Sequence, residues 1–475
     1  MGLRADLTLL AITKVVAGAS VWLGGFRAVS DDDYARVVLA QSFAELPRLD
    51  PTGSSWLPFP FWVTGGVAMV FGPSLDVARV AAIVQGILAV WLVYWAGRLC
   101  FTERREALAG AVLAATLPWS ARLGVATVPE LPTAALCVFA LITMVPRARS
   151  RRMLGAIALL VATLSRYEAW PIAACFCLWS VYEARQHPQH LRGLIGSALV
   201  AVLGPAAWLG HNAVAHGDAF AFAVRVSAYR EAVVGASGRT LIAYPEALVR
   251  EAPLLCGLVV IVALARWRRG ERDVGPFRIV LWSAAALLVT LILMSLRGGG
   301  PTHHPERAVL VLWLLGAMYV GAGIYRLGRR APAARHGGLP IVGLIAVMFC
   351  LRASFRGHFE PAVRASERAL GAAVAGHVPP NQRVLIEAVD YGYFAVFAAS
   401  GRPNGFVIDR SVDPRRPKQP SAFVSASALK ARARIAGARF VAGRVSAATN
   451  GLGKSVYDDG RLGLWRLDSA KPGRP

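Results

Sequence analysis

The stretch LTLLAITKVVAGASVWLGGFRAVSDDDY, residues 7–34, places a long apolar segment directly before three consecutive carboxylates. The apolar part is long enough to cross about 30 Å of hydrocarbon as a helix. Because it continues past the small residues AGAS at 17–20, we expect a retained span rather than a cleaved signal peptide. The stretch therefore predicts a transmembrane helix that is followed at once by an acidic cluster.

Apolar windows recur along the 475 residues, of which 55% are hydrophobic, and the mean hydropathy is +0.48. This composition is typical of a polytopic membrane protein rather than a soluble one. We therefore predict a mainly α fold, a transmembrane helical bundle of about eleven spans. The predicted spans lie near residues 7–29, 79–98, 107–119, 131–146, 153–165, 170–182, 194–212, 253–266, 277–296, 308–325 and 339–354.

The formal net charge of +24 is carried mainly by arginine, since the chain holds only five lysines. Arginines concentrate in every second loop, for example in PRARSRR at 146–152 and RWRRGERDVGPFR at 266–278. The positive-inside rule places these loops in the cytoplasm. The charge therefore indicates topology and contact with anionic membrane lipids, and it does not favour nucleic-acid binding. We expect a multi-pass protein of the cell (inner) membrane with a cytoplasmic N-terminus and an extracytoplasmic C-terminal region.

After about residue 355 the long apolar windows stop, and short strand and helix patterns alternate. The last of these is a β-hairpin at 454–468 that turns on Asp459-Gly460. We therefore predict two domains, a transmembrane domain at 1–354 and a small extracytoplasmic α/β domain at 355–475. The other predicted elements of the second domain are strands at 382–388, 405–409 and 439–444 and helices at 391–401 and 421–437.

The acidic cluster Asp31, Asp32 and Asp33 has two interpretations. Ser30 and the aspartates can cap the helix that YARVVLAQSF begins, because carboxylates favour the positive end of a helix dipole. Three adjacent carboxylates also repel one another, which favours a function that uses them. We favour a general base at the membrane–water boundary, with a second carboxylate that positions the acceptor.

Two loops on the predicted outer side carry cationic residues that suit an anion. In SRYEAW, residues 165–170, Arg166 either pairs with Glu168 for structural reasons or binds a phosphate, because a guanidinium fork matches phosphate oxygens. The loop PTHHPER, residues 301–307, lacks the HExxH spacing of a zinc site, so we predict no metal site there. The candidate phosphate ligands are Arg166, Arg307, His303 and His304.

Further residues on the predicted outer side are candidates for binding the acceptor. Glu130 stands between two prolines in TVPELP, residues 127–132, and Trp56 begins the aromatic stretch WLPFPFW at 56–62. That stretch suits an anchor at the membrane interface, a wall for an isoprenoid chain, or both. The candidates for acceptor binding or a related role are Glu130, Tyr167, Glu168 and Trp56.

These residue types fit the transfer of a sugar from a lipid phosphate to a hydroxyl. The phosphate is already a good leaving group, so the reaction needs one carboxylate to deprotonate the attacking hydroxyl and cations to hold the departing phosphate. A single displacement of this kind inverts the anomeric centre.

With these motifs the chain resembles the GT-C superfamily of glycosyltransferases, which includes protein O-mannosyltransferases, the lipid A aminoarabinose transferase and the GPI mannosyltransferases. The resemblance rests on DDDY at 31–34, WLPFPFW, the SRYEAW loop, the HPER loop at 304–307 and the outer C-terminal domain. It implies a polyprenyl-phosphate-linked sugar as donor and a lipid, glycan or protein as acceptor. It also implies an outer-loop aspartate as base, either in the pair Asp32 and Asp33, which we favour, or in the pair Asp31 and Asp33. No cofactor follows from it, and a divalent cation is allowed but not indicated.

Other functions remain open from the sequence alone. A transporter or lipid flippase is expected to show polar residues within the spans and internal two-fold repetition, and neither is evident. A glycan ligase or polymerase of the cell envelope uses the same class of donor, so the sequence separates it poorly. A non-catalytic scaffold has no need of the acidic cluster.

Overall fold

The computed structural model describes residues 2–53, 55–235, 241–270, 277–297, 304–329, 338–355 and 363–467. It is mainly helical, as predicted, and a small β-sheet lies in the C-terminal region. The helices that precede this region are α1 Leu3–Leu23, α2 Asp31–Glu45, α3 Phe59–Phe71, α4 Leu75–Cys100, α5 Arg104–Thr116, α6 Pro118–Leu123, α7 Glu130–Thr143, α8 Arg152–Thr163, α9 Ala169–Gln186, α10 Leu191–His216, α11 Ala221–Val234, α12 Ala243–Arg250, α13 Pro253–Arg268, α14 Arg278–Leu296, α15 Pro305–Ala308, α16 Leu310–Arg329 and α17 Leu339–Ser354.

The chain divides into two compact units. The membrane unit comprises Met1–Phe26, Thr52–Pro60 and Ala82–His358, and the C-terminal unit comprises Arg27–Pro51, Phe61–Ala81 and Phe359–Pro475. The acidic cluster at the start of α2 therefore belongs to the same unit as the C-terminal sheet.

Each of the eleven predicted windows contains a helix, but the count of about eleven spans is not confirmed. Within the described residues, five helices are long and apolar enough to cross a membrane, and the number rises to seven if two bent pairs are each one span. The predicted windows at 131–146 and 153–165 correspond to one such pair, in which α7 and the segment that contains α8 meet at 120°. Hydropathy measures composition along the chain and is insensitive to such a bend.

Arg152, at the start of α8, holds the bend between α7 and α8. Its guanidinium donates to the carbonyl oxygens of Thr143, at 2.9 Å, and Met144, at 3.3 Å, which α7 leaves without helical partners at its end. The same side chain pairs with Glu183 on α9, and Arg149 adds a second ion pair to that carboxylate at 3.0 Å. Burial of Arg152 and Glu183 is tolerable because the two opposite charges pair directly, whereas Arg149 remains partly exposed.

Close contact between α5 and α16 organises the membrane unit. A Cβ atom on Gly321 would lie 2.5 Å from the backbone nitrogen of Gly110, so only a glycine fits at this crossing. Such small-residue crossings are a common way to pack helices in membranes. Beyond the crossing, Arg326 binds Glu106 through two hydrogen bonds of 2.7 Å, which ties the same two helices together.

The C-terminal unit contains a five-stranded sheet in the order β2-β1-β3-β5-β4. Strand β1 is parallel to β2 and β3, and the hairpin β4–β5 adds two antiparallel strands. All the strands and helices predicted after residue 380 are present, and the hairpin turns at Asp459-Gly460 as predicted, with Gly460 at a φ of 85°. The elements are α18 Ala365–His377, β1 Arg383–Ile386, α19 Tyr393–Ser400, β2 Phe406–Ile408, α20 Ala426–Ala436, β3 Ala438–Arg444, α21 Ala447–Asn450, β4 Ser455–Asp458 and β5 Leu462–Arg466.

One core of the C-terminal unit joins the sheet to α2. Tyr34 and Val37 of α2 are buried in the same apolar cluster as Val396 of α19 and Leu464 of β5. Gln41, also on α2, donates to the carbonyl oxygen of Ala398 at 2.9 Å. The helix that carries the acidic cluster is therefore packed against the C-terminal α/β elements.

Candidate functional site

The acidic cluster forms the first turn of α2, and Asp33 serves as part of its N-terminal cap. One carboxylate oxygen of Asp33 accepts hydrogen bonds from the backbone N–H groups of Val29, at 3.1 Å, and Ser30, at 3.3 Å. The side chain of Asp33 is buried. This is the reciprocal arrangement of a capping box, in which an acid in the first turn satisfies the backbone that enters the helix.

Asp31 is held by an arginine from the other end of the chain. The two oxygens of Asp31 accept from Nε and Nη2 of Arg364 at 2.9 and 2.8 Å, which makes a bidentate pair. The pKa of Arg364 lies above its usual value, mainly because Asp31 accepts these hydrogen bonds. The same guanidinium also contacts Asp390 at 3.0 Å and Glu367 at 3.4 Å.

Asp32 lies between these two residues in the same turn and is half-buried. Successive residues on a helix point about 100° apart, so the three carboxylates have three different surroundings. The structure thus distinguishes members of the cluster that the sequence presents as equivalent.

A second group of predicted residues meets in the membrane unit. Glu130, the first residue of α7, accepts from Nη1 of Arg166 at 2.5 Å and from Nε of Arg307 at 2.7 Å. Arg166 also binds both oxygens of Glu168, at 3.0 and 3.1 Å. All four side chains are buried. The structure therefore brings four of the predicted candidates into one network of two guanidinium groups and two carboxylates, whose formal charges balance.

A small pocket, large enough for a water molecule, lies beside this ionic network. Glu130, Arg166, Glu168 and Arg307 all contribute to its lining, and the rest comes from small and apolar side chains of α7, α9, α15 and α16.

The loop before α16 contains a further pair. His304 Nδ1 lies 3.2 Å from Glu306 Oε1. Burial alone would raise the pKa of Glu306, but hydrogen bonding with His304 and the charge of Arg307 outweigh it, so this pKa lies below its ordinary value. His303 lies outside the described residues.

The aromatic candidates also lie in the membrane unit. The hydroxyl of Tyr167 donates to the carbonyl oxygen of Ser55 at 2.7 Å, and its ring stacks on Phe222 with the centroids 4.7 Å apart. Trp56 is the next residue along, and its carbonyl oxygen accepts from Thr52 at 3.2 Å. The structure thus joins the stretch before WLPFPFW to the SRYEAW loop.

Sequence reasoning singled out neither Arg364 nor its partners Glu367 and Asp390. Arg364 is 333 positions from Asp31, and RASER at 364–368 is an ordinary charged segment without a motif. Only the folded arrangement of α2 and α18 identifies it.

Comparison with known proteins finds one matching family model and several solved structures with a similar fold. The family model of dolichyl-phosphate-mannose-protein mannosyltransferases matches residues 52–208. The structure of ArnT from Cupriavidus metallidurans bound to undecaprenyl phosphate resembles this one with a TM-score of 0.65 and 14% identity, over 98% of each chain. The oligosaccharyltransferase AglB from Archaeoglobus fulgidus resembles it with a TM-score of 0.52 and 15% identity, over 92% of this chain and 69% of that one. No curated protein sequence matches the chain.

At these identities the structural likeness establishes the fold. The family-model match adds a sequence signal that spans the WLPFPFW stretch, Glu130 and the SRYEAW loop. The predicted resemblance to the GT-C superfamily is therefore confirmed, and the chain has the fold of these membrane glycosyltransferases.

Proposed function

We propose that this protein is an integral membrane glycosyltransferase that moves a sugar from a polyprenyl-phosphate donor to a hydroxyl acceptor. The observation that carries this proposal is the fold match over 98% of the chain to a protein whose structure was solved with undecaprenyl phosphate bound. The AglB match supports it, because that structure contains a dolichol-phosphate and an inhibitory peptide.

The proposed reaction is a single displacement at the anomeric carbon. The acceptor hydroxyl attacks this carbon, its proton passes to an aspartate of the acidic cluster, and the bond between the carbon and the phosphate oxygen breaks. The lipid phosphate leaves with the bonding electrons, and the anomeric centre inverts. We assign the base to Asp32, a member of the favoured pair Asp32 and Asp33, because its side chain is half-buried and can be reached from solvent, whereas that of Asp33 is buried and caps the helix.

Cations must compensate the phosphate charge as the lipid leaves, and we assign this role to Arg166 and Arg307, with His303 and His304 as further candidates. The two arginines are already matched by Glu130 and Glu168. Donor binding therefore requires at least one guanidinium to exchange a carboxylate for a phosphate oxygen, which the fork geometry of arginine favours.

On the acceptor side we retain Trp56 and Tyr167, whose aromatic surfaces suit a sugar or lipid. Glu130 and Glu168 serve instead to hold the arginines, since both carboxylates lie within the ionic network. The acceptor is a lipid, a glycan or a protein. We place the protein in the cell (inner) membrane, with the N-terminus in the cytoplasm and the C-terminal domain outside it.

A second candidate function is the transfer of a whole glycan by a ligase or polymerase. The match to AglB favours it, because that protein is an oligosaccharyltransferase. Donors that carry one sugar and donors that carry an oligosaccharide separate the two activities.

Sugar transfer in proteoliposomes tests the proposal. The full chain is supplied with radiolabelled polyprenyl-phosphate sugars, and the wild type is compared with Asp31→Asn, Asp32→Asn and Asp33→Asn. We expect wild-type turnover and a loss of about a hundredfold or more in Asp32→Asn, as for removal of a general base. The matched control is Asp76→Asn, in the first turn of α4, whose side chain is 89% exposed and which we expect to retain wild-type turnover.

The folded state of each variant is checked by size-exclusion chromatography. No consumption of any donor by the wild type contradicts the proposed function and favours the transporter or flippase alternative. Full activity in Asp32→Asn contradicts the assignment of the base, and the other two variants then show whether Asp31 or Asp33 takes that role.

A further inference from the structure

Arg364 has a set of contacts that the proposed reaction does not yet use. Its guanidinium touches three carboxylates, those of Asp31, Glu367 and Asp390, and its side chain is only 12% exposed. The contact with Asp31 is bidentate and joins the first turn of α2 to the residue that precedes α18. A single arginine thus links the acidic cluster to the C-terminal α/β elements.

The backbone at Arg364 is unusual as well. Its φ of 43° and ψ of 44° lie in the left-handed region, and among the described residues it is the one non-glycine residue with a positive φ. A side chain in this conformation is strained, and such strain persists where the surroundings hold the residue firmly in place. Strained residues cluster at functional sites, so the conformation adds a second observation to the contacts.

The fold also leaves room for this guanidinium. A Cβ atom on Gly392 would lie 2.7 Å from Nη1 of Arg364, and the backbone N–H of Gly392 donates to Asp390 at 2.8 Å. Gly392 has an ordinary helical φ of −59°, so its lack of a side chain serves space rather than conformation. The site for Arg364 is therefore built by α2, α18 and the turn before α19.

Three adjacent carboxylates need compensation of their charge, and Arg364 supplies part of it. Without compensation they would raise one another's pKa and repel one another's side chains. Arg364 neutralises Asp31, and the backbone N–H groups at the cap stabilise the charge of Asp33. One carboxylate of the turn, Asp32, then has neighbours whose charges are already compensated.

We propose that Arg364 is a positioning residue for the acidic cluster: it holds Asp31 and so keeps the first turn of α2 in the orientation that Asp32 needs as a base. The inference rests on the proposed function and deepens it. The C-terminal region then contributes to catalysis through this contact, in addition to any role in acceptor binding.

The test is the pH dependence of sugar transfer in proteoliposomes with a radiolabelled donor that the wild type consumes. Arg364→Asn removes the cation, and asparagine tolerates the left-handed backbone better than most residues. We expect kcat to fall by roughly tenfold with little change in the donor KM, because a group that acts on the base affects turnover more than binding. The acidic limb of the pH profile should move to higher pH, because loss of the cation raises the pKa of the carboxylates.

Two further variants separate positioning from a structural role. Arg364→Lys keeps the charge and should restore part of the rate and the wild-type pH profile. Gly392→Ala retains every charge but displaces the guanidinium, and it should shift the profile in the same direction as Arg364→Asn. The carboxylates in contact with Arg364 are Asp31, Glu367 and Asp390. Among the neighbouring titratable and charged groups, Tyr34 interacts with Asp31, Asp33, Arg79 and Arg368, and Tyr393 interacts with Asp31 and Asp413.

Matched controls are Arg461→Asn and Gly376→Ala. Arg461 also contacts Glu367, at 3.1 Å, but it is 65% exposed, and a Cβ atom on Gly376 would meet open space. Both should keep the wild-type pH profile. An unchanged profile and kcat in folded Arg364→Asn and Gly392→Ala, beside an active wild type, would overturn the inference, whereas an inactive wild type would count against the proposed function itself.

Discussion

At the scale of single residues, the acidic cluster shows how helix geometry gives different roles to identical side chains. Asp33 points back toward the backbone of Val29 and Ser30, whereas Asp31 points toward Arg364. The cap is a local interaction over three or four positions, and for that reason the sequence predicts it from Ser30 and the acids that follow. The pair with Arg364 spans 333 positions, and no local pattern contains it.

The cap leads to a prediction about stability. Asp33→Ala removes the acceptor for two backbone N–H groups at the start of α2, so we expect the protein to lose about 1 kcal/mol of stability. The measurement is thermal unfolding of the purified protein in detergent. Asp76→Ala is the matched control, because Asp76 also lies in the first turn of a helix, but its side chain is 89% exposed and makes one long contact of 3.5 Å with Arg79, which contributes little. Equal unfolding temperatures for the two variants would show that the cap does not stabilise α2.

In the ionic network of the membrane unit, the candidate phosphate ligands also combine a local interaction with a long-range one. Arg166 and Glu168 are close in sequence, so their pairing was one of the two predicted interpretations, and the structure contains it. Glu130 and Arg307 are 177 positions apart, and their direct contact was not predicted. Residue types thus indicate which side chains are candidates, and long-range folding decides which of them meet.

This network gives a second prediction. Glu130→Gln leaves the buried guanidinium groups of Arg166 and Arg307 without their shared carboxylate, so we expect a loss of about 3 kcal/mol or more. If Arg166 and Arg307 bind the donor phosphate, added polyprenyl phosphate should raise the unfolding temperature more in this variant than in the wild type, because ligand binding stabilises the folded state.

Glu183→Gln is the control for Glu130→Gln. Glu183 is also buried and also joins two arginines, Arg149 and Arg152, but it lies at the bend of α7 and α8 rather than at the pocket. It should lose stability to a similar degree and gain no extra stabilisation from the lipid phosphate. An equal response of the two variants to the lipid would argue that the network is purely structural.

At the scale of elements, the predicted helices are present, but their lengths and bends depend on tertiary contacts that a hydropathy profile does not report. Arg152 illustrates this, because it satisfies the carbonyl groups of Thr143 and Met144 at the end of α7 and so allows a 120° bend within an apolar region. Composition alone does not distinguish two apolar helices that form one bent segment from two helices that each cross the membrane. The predicted count of about eleven spans is not confirmed at such bends and at short helices such as α5 and α17.

The crossing of α5 and α16 gives a third prediction. Gly321→Val places a branched side chain against the backbone of Gly110, where even a Cβ atom would lie at 2.5 Å, so the two helices must separate. We expect overpacking of this kind to destabilise the protein by about 2 kcal/mol or more. The measurement is the fraction of folded protein in detergent, by size-exclusion chromatography and thermal unfolding. Gly343→Val in α17 is the control, since a Cβ atom there meets no other atom within 4 Å; equal losses in both variants would contradict the role of the crossing.

At the scale of the whole molecule, the fold class and the C-terminal elements could be predicted because their signals are local. Most of the strands are short apolar runs, such as RVLI at 383–386, and Asp459-Gly460 is a strong turn signal between two strands. Helix α18 was not predicted, and neither was the packing of α2 in the core of the C-terminal unit, where Tyr34 lies with Leu464. That core combines segments more than 300 positions apart, and a single sequence does not record such contacts.

The predicted orientation of the chain in the membrane can be tested directly. The arginine-rich loops are predicted to face the cytoplasm, and the C-terminal domain the opposite side. All six natural cysteines lie at or before residue 350, so a cysteine introduced after that point is a clean probe of the C-terminal domain. Ser427→Cys, at an exposed position in α20, should react in intact cells with a membrane-impermeant maleimide. Gln189→Cys, exposed in the loop between α9 and α10, should react only after permeabilisation.

The unmodified protein is the control for this labelling, because its six cysteines set the background in intact and permeabilised cells. The two probes carry independent information, since one reports on the C-terminal domain and the other on an arginine-containing loop. Labelling of Ser427→Cys only after permeabilisation would place the acidic cluster's own unit in the cytoplasm. An enzyme that works there has direct access to nucleotide sugars, so this outcome would remove the main reason for a lipid-linked donor. Labelling of both probes in intact cells would instead place both on the outer side. The number of membrane crossings between them would then be even rather than odd as predicted, and the bent helix pairs would need a new assignment.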